Sequence, residues 1–157
     1  MISIGIRAAP KQVTYAILEA VGDEVRVLDI SHVAVPQALK TPDQLRYLRT
    51  AFLDIIGEYN VGRAGLRLAE GVSTNQDPFR IGIEAVLQEL LSSSSVERYF
   101  CGRINSIAAL VDGVSTTDMK PLISGEMSFR EMDTWGEMKP EERESFLTAY
   151  AALSLGR

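Results

Sequence analysis

The side chains that most often perform chemistry in proteins are scarce in this sequence. There is one cysteine, Cys101, and one histidine, His32. A single cysteine forms neither an internal disulfide nor a thiolate metal site, and a single histidine leaves little material for a zinc site or a catalytic triad. Cys101 lies in the apolar run YFCG, which predicts a buried structural thiol, and His32 lies in a predicted strand. The sequence therefore argues against thiol, zinc and triad chemistry.

Arginines are a second group of side chains with chemical potential, because their guanidinium forks bind phosphate oxygens. Five of them flank the predicted strands, and they form either a phosphate-contacting patch or a set scattered over the surface: Arg63, Arg67, Arg80, Arg98 and Arg103. The neighbouring loop AEGVSTNQDP is not a P-loop, since it lacks the GK[ST] ending. The net charge of −5 argues weakly against a broad nucleic-acid interface but leaves room for a local basic groove.

Length and composition indicate an ordinary globular protein. The chain has 157 residues, 46% of them hydrophobic and 24% charged, which suffices for a sizeable core. Its first residues, MISIGIRAAP, lack the long apolar core of a signal peptide, and no run approaches the ~18 apolar residues of a membrane span. We expect a single domain over 1–157, a cytoplasmic location in a cell of bacterial type, and no membrane partner.

The elements that must position these side chains follow from the hydrophobic pattern. Residues 2–8, 13–19 and 25–35 predict three consecutive strands joined by short turns. Helices and strands then alternate, with strands over 64–69 and 96–102 and helices beginning at Thr41, Pro78, Ile104 and Pro140. At the first helix, Thr41 is the predicted N-cap. This order, βββαβαβα followed by a terminal helix, predicts an α/β fold with a mixed five-stranded sheet and helices on both faces.

Residues 112–139 do not fit that pattern. They contain three glycines, scattered charges, four methionines and Trp135. We predict an irregular excursion before the C-terminal helix.

Three segments resemble the ribonuclease H-like superfamily, which includes RuvC-type resolvases and retroviral integrases. ISIGIRAAPKQVTYAILE is similar to the first hairpin of RuvC-like members, and ERESFLTAYAAL to their closing helix. FRIGIEAVLQELL resembles the middle helix of small, uncharacterised bacterial members. The resemblance covers most of 1–105 and 140–155, and it implies a three-layer fold of the ribonuclease H type.

The resemblance also implies where a catalytic site would lie. Nucleases of this fold gather carboxylates around two divalent metal ions, magnesium or manganese, which activate water against a phosphodiester. The family pattern places an acid in the middle of the first strand and often a second acid on the fourth. Here those positions hold Arg7 and Arg67. The remaining candidate acids are Glu144 on the last helix, Glu84 on the middle helix and Glu70 after the fourth strand.

Two cations at these positions would repel a metal ion, so we expect neither a metal nor another cofactor. Arg7 would instead pair with Glu144 or Glu84 as an internal counter-charge, the acidic site being degenerate. The alternatives are an Arg7 that points into solvent, and acids that are ordinary surface residues. Arg7, Arg67 and Arg103 are the candidates for phosphate binding or counter-charge.

The favoured prediction is a non-catalytic pseudo-nuclease that acts as a protein-interaction or assembly module, with a protein partner or a second copy in a homodimer. This prediction favours a protein that is not an enzyme. The methionines and Trp135 of residues 112–139 are a candidate contact surface.

Two alternatives stay open. The first is a metal-dependent nuclease or resolvase for structured nucleic acid, which uses Glu70, Glu84 and Glu144 with magnesium or manganese and holds phosphate with Arg7. The second is a nucleic-acid binder without cleavage, with a basic groove along Arg7, Arg67 and Arg103.

Overall fold

A five-stranded mixed sheet forms the centre of the protein, as a computed structural model that describes residues 1–71 and 75–156 shows. The strands are β1 (Ile2–Ala8), β2 (Gln12–Val21), β3 (Glu24–Ala34), β4 (Arg63–Arg67) and β5 (Arg98–Gly102). Their order across the sheet is β3-β2-β1-β4-β5. The first three pair antiparallel, whereas β4 runs parallel to both β1 and β5. The prediction of a mixed five-stranded sheet is confirmed.

Helices cover both faces of this sheet. They are α1 (Thr41–Glu58), α2 (Pro78–Ser93), α3 (Ile104–Leu110), α4 (Thr116–Ser124), α5 (Pro140–Leu153) and a short 3-10 helix (Asp133–Glu137). One hydrophobic cluster joins β1 and β4 to α1 and α2, with Ile6, Phe52 and Leu87 at its centre. A second cluster on the opposite face includes Leu18 and Phe146 and joins the sheet to α3, α4 and α5. These three layers confirm the predicted α/β architecture.

Two glycines allow α5 to lie directly on the sheet. Gly5 of β1 and Gly65 of β4 are paired across the parallel strands. A Cβ atom on Gly5 would lie 2.1 Å from the carbonyl oxygen of Ser145, and one on Gly65 would lie 2.8 Å from that of Thr148. The backbone of α5 therefore occupies the space that side chains would take at these positions. This close approach fixes the residues of α5 above the middle of the sheet.

The start of α1 differs from the prediction in one detail. Lys40, not Thr41, occupies the N-cap position, and no side chain caps the helix there. The side chain of Gln44, which a capping box would aim at the N-cap, donates instead to the carbonyl of Pro36 at 3.1 Å. Pro42 in the first turn pre-sets the helical φ angle and favours a helix start at this point.

The prediction of an irregular stretch over residues 112–139 is wrong for part of it, because this stretch contains α4 and the 3-10 helix. Ser115 and Asp118 form a capping box at the start of α4, and Gly125 ends the helix with a left-handed φ of 86°. Trp135 is 1% exposed, and its indole N–H donates to the carbonyl of Leu122 at 3.0 Å.

The same stretch does not offer the contact surface predicted for it. Met119 is fully buried, and Trp135 packs edge-on against Phe146 of α5. Of its methionines, Met127 is exposed. The apolar residues at the centre of this stretch therefore belong to the core of the protein.

None of the helices in the described part of the chain has the length and apolar character needed to cross a bilayer. The cytoplasmic location stays a prediction.

Candidate functional site

Arg7 and Arg67 lie side by side at the ends of two parallel strands. They are register partners on β1 and β4, each two residues beyond the paired glycines Gly5 and Gly65. Since alternate residues of a strand share a face, both arginines point to the face that α5 covers. The side chain of Arg7 is 25% exposed and that of Arg67 is 6% exposed. The parallel pairing thus places two guanidinium groups together below the start of α5.

Glu144 of α5 bridges these two arginines. Arg7 Nε donates to Glu144 Oε2 at 3.0 Å, and Arg67 Nε lies 3.6 Å from the same oxygen. The carboxylate is only 11% exposed. Its position follows from the close seating of α5, where the neighbouring Ser145 donates to the carbonyl of Thr14 at 3.2 Å. The sequence predicted that Arg7 would meet Glu144 or Glu84, and the structure brings it to Glu144.

Arg67 is the most deeply buried charge of this group. One of its terminal nitrogens donates to the carbonyl of Leu68, and Nη2 lies 3.4 Å from Glu70 Oε1. Burial lowers the pKa of Arg67, against the attraction of Glu144 and Glu70, and the nearby Arg80 and Arg7 lower it further. The guanidinium nevertheless stays protonated at neutral pH, as arginine does throughout proteins. Arg67 is therefore a buried cation held between two carboxylates.

Glu84 belongs to a neighbouring pair and does not contact Arg7. Its side chain is 7% exposed on the inner face of α2. Glu84 Oε1 accepts a hydrogen bond from the backbone N–H of Ala69 at 2.8 Å and another from Arg80 Nε at 3.2 Å. This carboxylate thereby ties the start of α2 to the chain that leaves β4.

Glu70 and Arg103 lie further out, beyond the ends of β4 and β5. Glu70 Oε1 accepts from the backbone N–H of Ile104 at 3.1 Å. Arg103 Nε donates to the carbonyl of Ala69 at 3.2 Å. Both side chains line a cavity of about 730 Å³ that also includes Cys101. Arg103 thus lies beside Glu70 and apart from the pair formed by Arg7 and Glu144.

Cys101 and His32 both lie on strands of the sheet. Cys101 is half-buried on β5, and burial raises the pKa of its thiol to about 11. The thiol is therefore protonated and a poor nucleophile at neutral pH. His32 lies on β3, paired with Thr14.

The pairing of Arg80 with Glu84 and the roles of the two glycines were not predicted from the sequence. Arg80 was one of the five arginines considered for a phosphate-contacting patch, and its spacing of four residues from Glu84 on a predicted helix indicates an ion pair. Gly5 and Gly65 each precede an arginine by two residues, a repeat that marks a matched pair of strands. Only the parallel register shows that the two positions meet.

The fold matches known structures along almost the entire chain. RuvC from Thermus thermophilus superposes with a TM-score of 0.72 at 10% sequence identity, over 98% of this chain and 94% of that one. The same protein in complex with a Holliday junction substrate gives a TM-score of 0.67 at 9% identity, over the same shares. This chain has a RuvC-like ribonuclease H fold. The resemblance predicted from the three sequence segments is confirmed at the level of the fold.

Two further similarities point to the same group of proteins. The fowlpox virus resolvase, solved with Holliday junction DNA, superposes over the full length of both chains with a TM-score of 0.55 at 14% identity. In sequence, 60 residues are 32% identical to the crossover junction endodeoxyribonuclease RuvC of Halothermothrix orenii. That match spans 38% of this chain and 36% of the relative, so the sequence similarity covers only about a third of each protein. No protein-family model matches the sequence.

These similarities overturn the favoured prediction of a non-catalytic interaction module. The solved structures that superpose on almost the whole chain include RuvC with a Holliday junction substrate and the fowlpox virus resolvase, and the similar sequence segment belongs to a crossover junction endodeoxyribonuclease. The prediction was wrong because it read function from two substituted positions and gave too little weight to the rest of the chain.

The metal ions used by nucleases of this fold do not fit the side chains as the structure arranges them. Within residues 1–71 and 75–156, no three His, Cys, Asp or Glu side chains lie together as a possible metal site. The best-placed carboxylate, Glu144, is already engaged by Arg7 and adjoins Arg67. A divalent ion there would meet two positive charges at close range. The roles of Glu70, Glu84 and Glu144, and the expected absence of a cofactor, stay predictions.

Proposed function

We propose that this protein acts on branched DNA in the manner of a junction resolvase. The observation that carries the proposal is the superposition of 98% of the chain on a RuvC solved with a Holliday junction substrate. A shared fold alone does not specify a substrate, so the proposal also rests on the chemistry of the central cluster. That cluster presents arginines, which bind phosphate in a forked geometry, at the ends of two adjacent strands.

Arg7, the more exposed of the two paired arginines, is the one suited to contact DNA. Arg7 keeps a quarter of its side chain accessible, whereas Arg67 is almost fully buried behind it. Glu144 fixes Arg7 through Nε, which leaves the two terminal nitrogens of Arg7 for a phosphate oxygen. In this proposal Arg7 positions a backbone phosphate, and Arg67 and Glu144 position Arg7.

We further propose that the protein works as a homodimer. A four-way junction has two equivalent strands, and a two-fold dimer presents a matching pair of sites. The long edge strand β3, with Val27 and Leu28 exposed, is an unpaired surface of the kind that partners cover. The molar mass of the protein in solution, with and without junction DNA, tests this part independently.

The test of the proposed function is a comparison of DNA shapes. Binding of a four-way junction, a linear duplex and a single strand of the same sequence is measured by gel shift in EDTA. We expect the junction to bind at least about 10-fold more tightly than the duplex at fixed salt. Arg7→Gln should weaken junction binding, whereas Arg46→Gln, at a well-exposed arginine of α1, should not. Equal affinity for all three shapes would contradict the proposal.

Cleavage is measured separately from binding. The labelled junction is incubated with magnesium, with manganese, or with EDTA, and nicks are mapped on a denaturing gel. Symmetric nicks near the branch point are the expected result, and nicks that need magnesium or manganese would show that the carboxylates around Glu144 rearrange on DNA to admit a metal ion. Selective junction binding without nicks under any condition would contradict the nuclease part of the proposal and leave the recognition part standing.

A further inference from the structure

A small cavity lies between the end of β4 and the start of α2, next to the central cluster. Its volume is about 350 Å³, within the range of about 300–1,000 Å³ that is usual for small-ligand sites. Arg67 lines it from β4 and Arg80 from the first turn of α2, together with Pro10 from the turn between β1 and β2. Two arginines from different elements thus line one partly open cavity.

Each of these guanidinium groups carries an unused hydrogen-bond donor. Arg67 Nε and Arg80 Nη2 are shielded from solvent and have no hydrogen-bond partner among the described residues. The nearest charged oxygen to Arg67 Nε is that of Glu144, at 3.6 Å, which is too long for a hydrogen bond. The great majority of buried donors in proteins are paired. The two arginines of the lining therefore keep hydrogen-bond capacity that the described residues do not use.

The carboxylates near the cavity fix the arginines without using all of their donors. Glu84 accepts from Arg80 Nε at 3.2 Å, and Glu70 lies 3.4 Å from Arg67 Nη2. The other acid of the lining, Asp77, accepts from the backbone N–H groups of Phe79 and Arg80 at 2.8 and 3.3 Å. The charges of Glu70 and Asp77 are thus partly offset by N–H groups, Glu70 also accepting from Ile104. The arginines are held in place, and the space in front of them suits a small anion.

We propose that the cavity between Arg67 and Arg80 binds a phosphate group. A phosphate offers several oxygens in a tetrahedral arrangement, so one group can accept from two arginines that approach from different sides. The phosphate comes either from the backbone of bound DNA or from a free phosphate-bearing molecule. The first source rests on the proposed function; the second does not.

The test uses inorganic phosphate as the probe and the full chain as the protein. Phosphate is titrated against chloride at constant ionic strength, while the ¹H–¹⁵N signals of the arginine Nε groups and the melting temperature are followed. We expect saturable shifts of two arginine signals and a rise in melting temperature, since a ligand that binds only the folded state stabilises it. Absence of saturable binding would overturn the proposal.

Matched arginine variants locate the site. Arg80 and Arg49 both lie on helices and both hold a glutamate through Nε, Arg80 with Glu84 and Arg49 with Glu89. Arg80→Gln should weaken phosphate binding at least 10-fold, and Arg49→Gln should leave it unchanged. Equal binding by Arg80→Gln and the unaltered protein would overturn the proposal. Arg67→Lys, which keeps the charge but removes the Nε donor, is a second variant should Arg80→Gln fail to fold.

Two further arms separate the sources of the phosphate. If the backbone of DNA is the source, Arg80→Gln weakens junction binding as well as phosphate binding. If phosphate binding is lost in Arg80→Gln but junction binding is not, a free phosphate-bearing molecule is the ligand. A protein that binds phosphate at this cavity but shows no preference for branched DNA refutes the proposed function while the site stands.

Discussion

At the scale of single residues, the central question is what Glu144 does for two neighbouring arginines. Arg7 and Arg67 are register partners, so without the carboxylate two positive charges would face each other across adjacent strands. Arg67 is buried, and a buried charge that loses its partner is strongly destabilising. The primary role of Glu144 in the folded protein is therefore to compensate the two guanidinium groups.

This role predicts the cost of removing the charge of Glu144. We expect Glu144→Gln to lower the free energy of unfolding by about 2 kcal/mol, less than the full penalty for a buried pair because Arg7 is a quarter exposed. Urea unfolding followed by the fluorescence of Trp135, the only tryptophan, measures it. Glu24→Gln, in an exposed pair with Arg26, is the control and should change stability by less than about 0.5 kcal/mol. A cost no larger than that of the control would show that Glu144 does not compensate the arginines.

Cys101 gives a second prediction at this scale, because its pKa is raised to about 11 by burial. A raised thiol pKa favours the protonated form in the folded protein, so the thiolate appears only as the pH rises toward that value. Alkylation by iodoacetamide at pH 8 should be about 100-fold slower in the folded protein than in urea, where the pKa returns to about 8.5. Reaction rates measured from pH 7 to 10.5 test this. Equal rates in both states would mean that burial does not protect the thiol.

At the scale of elements, the contact between α5 and the sheet determines the geometry of the cluster. Because positions 5 and 65 are glycines, the backbone of α5 can lie directly against the strands. The hydroxyl of Ser3 stabilises this contact by donating a hydrogen bond to the carbonyl of Ala149 at 2.9 Å. Small residues on α5, among them Ser145 and Ala149, complete the interface. Any side chain at position 5 would force the helix away and carry Glu144 with it.

The helix-to-sheet distance is tested by adding one methyl group. Gly5→Ala should destabilise the protein by about 3 kcal/mol, since the new Cβ would lie 2.1 Å from the Ser145 carbonyl oxygen. Gly82→Ala is the matched control, because a Cβ there meets nothing within 4 Å. In the helix α2 this control should instead stabilise by up to about 1 kcal/mol. Thermal unfolding compares the two, and equal effects would contradict the close seating of α5.

Most strands and helix starts of the structure could be predicted from the sequence. Alternation and turns predicted β1, β2 and β3, and proline marked the starts of α2 and α5 correctly. Helix α4 was missed because Pro121 and nearby glycines obscure its apolar pattern, although Ser115 and Asp118 have the spacing of a capping box. A search for caps, and not for periodicity alone, would have found this helix.

The candidate site was less accessible to sequence reasoning than the fold. That Arg7 lies beside Arg67 depends on the parallel register of β1 and β4, which local patterns do not encode. That Glu144 and not Glu84 meets Arg7 depends on the depth at which α5 is seated. The choice between them needs tertiary distances, so the sequence left both open.

At the scale of the whole molecule, the net charge of −5 has to be reconciled with the proposed binding of branched DNA. The central network joins Arg7 and Arg67 to Glu70 and Glu144, and Arg80 and Glu84 form a separate pair beside it. These three arginines and three glutamates are neutral together, and a quarter of the Arg7 side chain is exposed. DNA binding would then depend on few phosphate contacts, and its affinity would depend on salt only moderately.

The salt dependence of junction binding measures how many arginines contact phosphate. Each neutralised phosphate contributes about −0.9 to the slope of log K against log salt concentration. Arg103, at the edge of the cavity beyond β5, is a predicted phosphate contact, so Arg103→Gln should make the slope less negative by about 1. Arg46→Gln serves as the control, because Arg46 is 79% exposed on α1 and pairs with Asp43. Identical slopes for Arg103→Gln and the unaltered protein would remove Arg103 from the DNA-contacting surface, whereas a changed slope for Arg46→Gln would place that surface on α1, away from the central network.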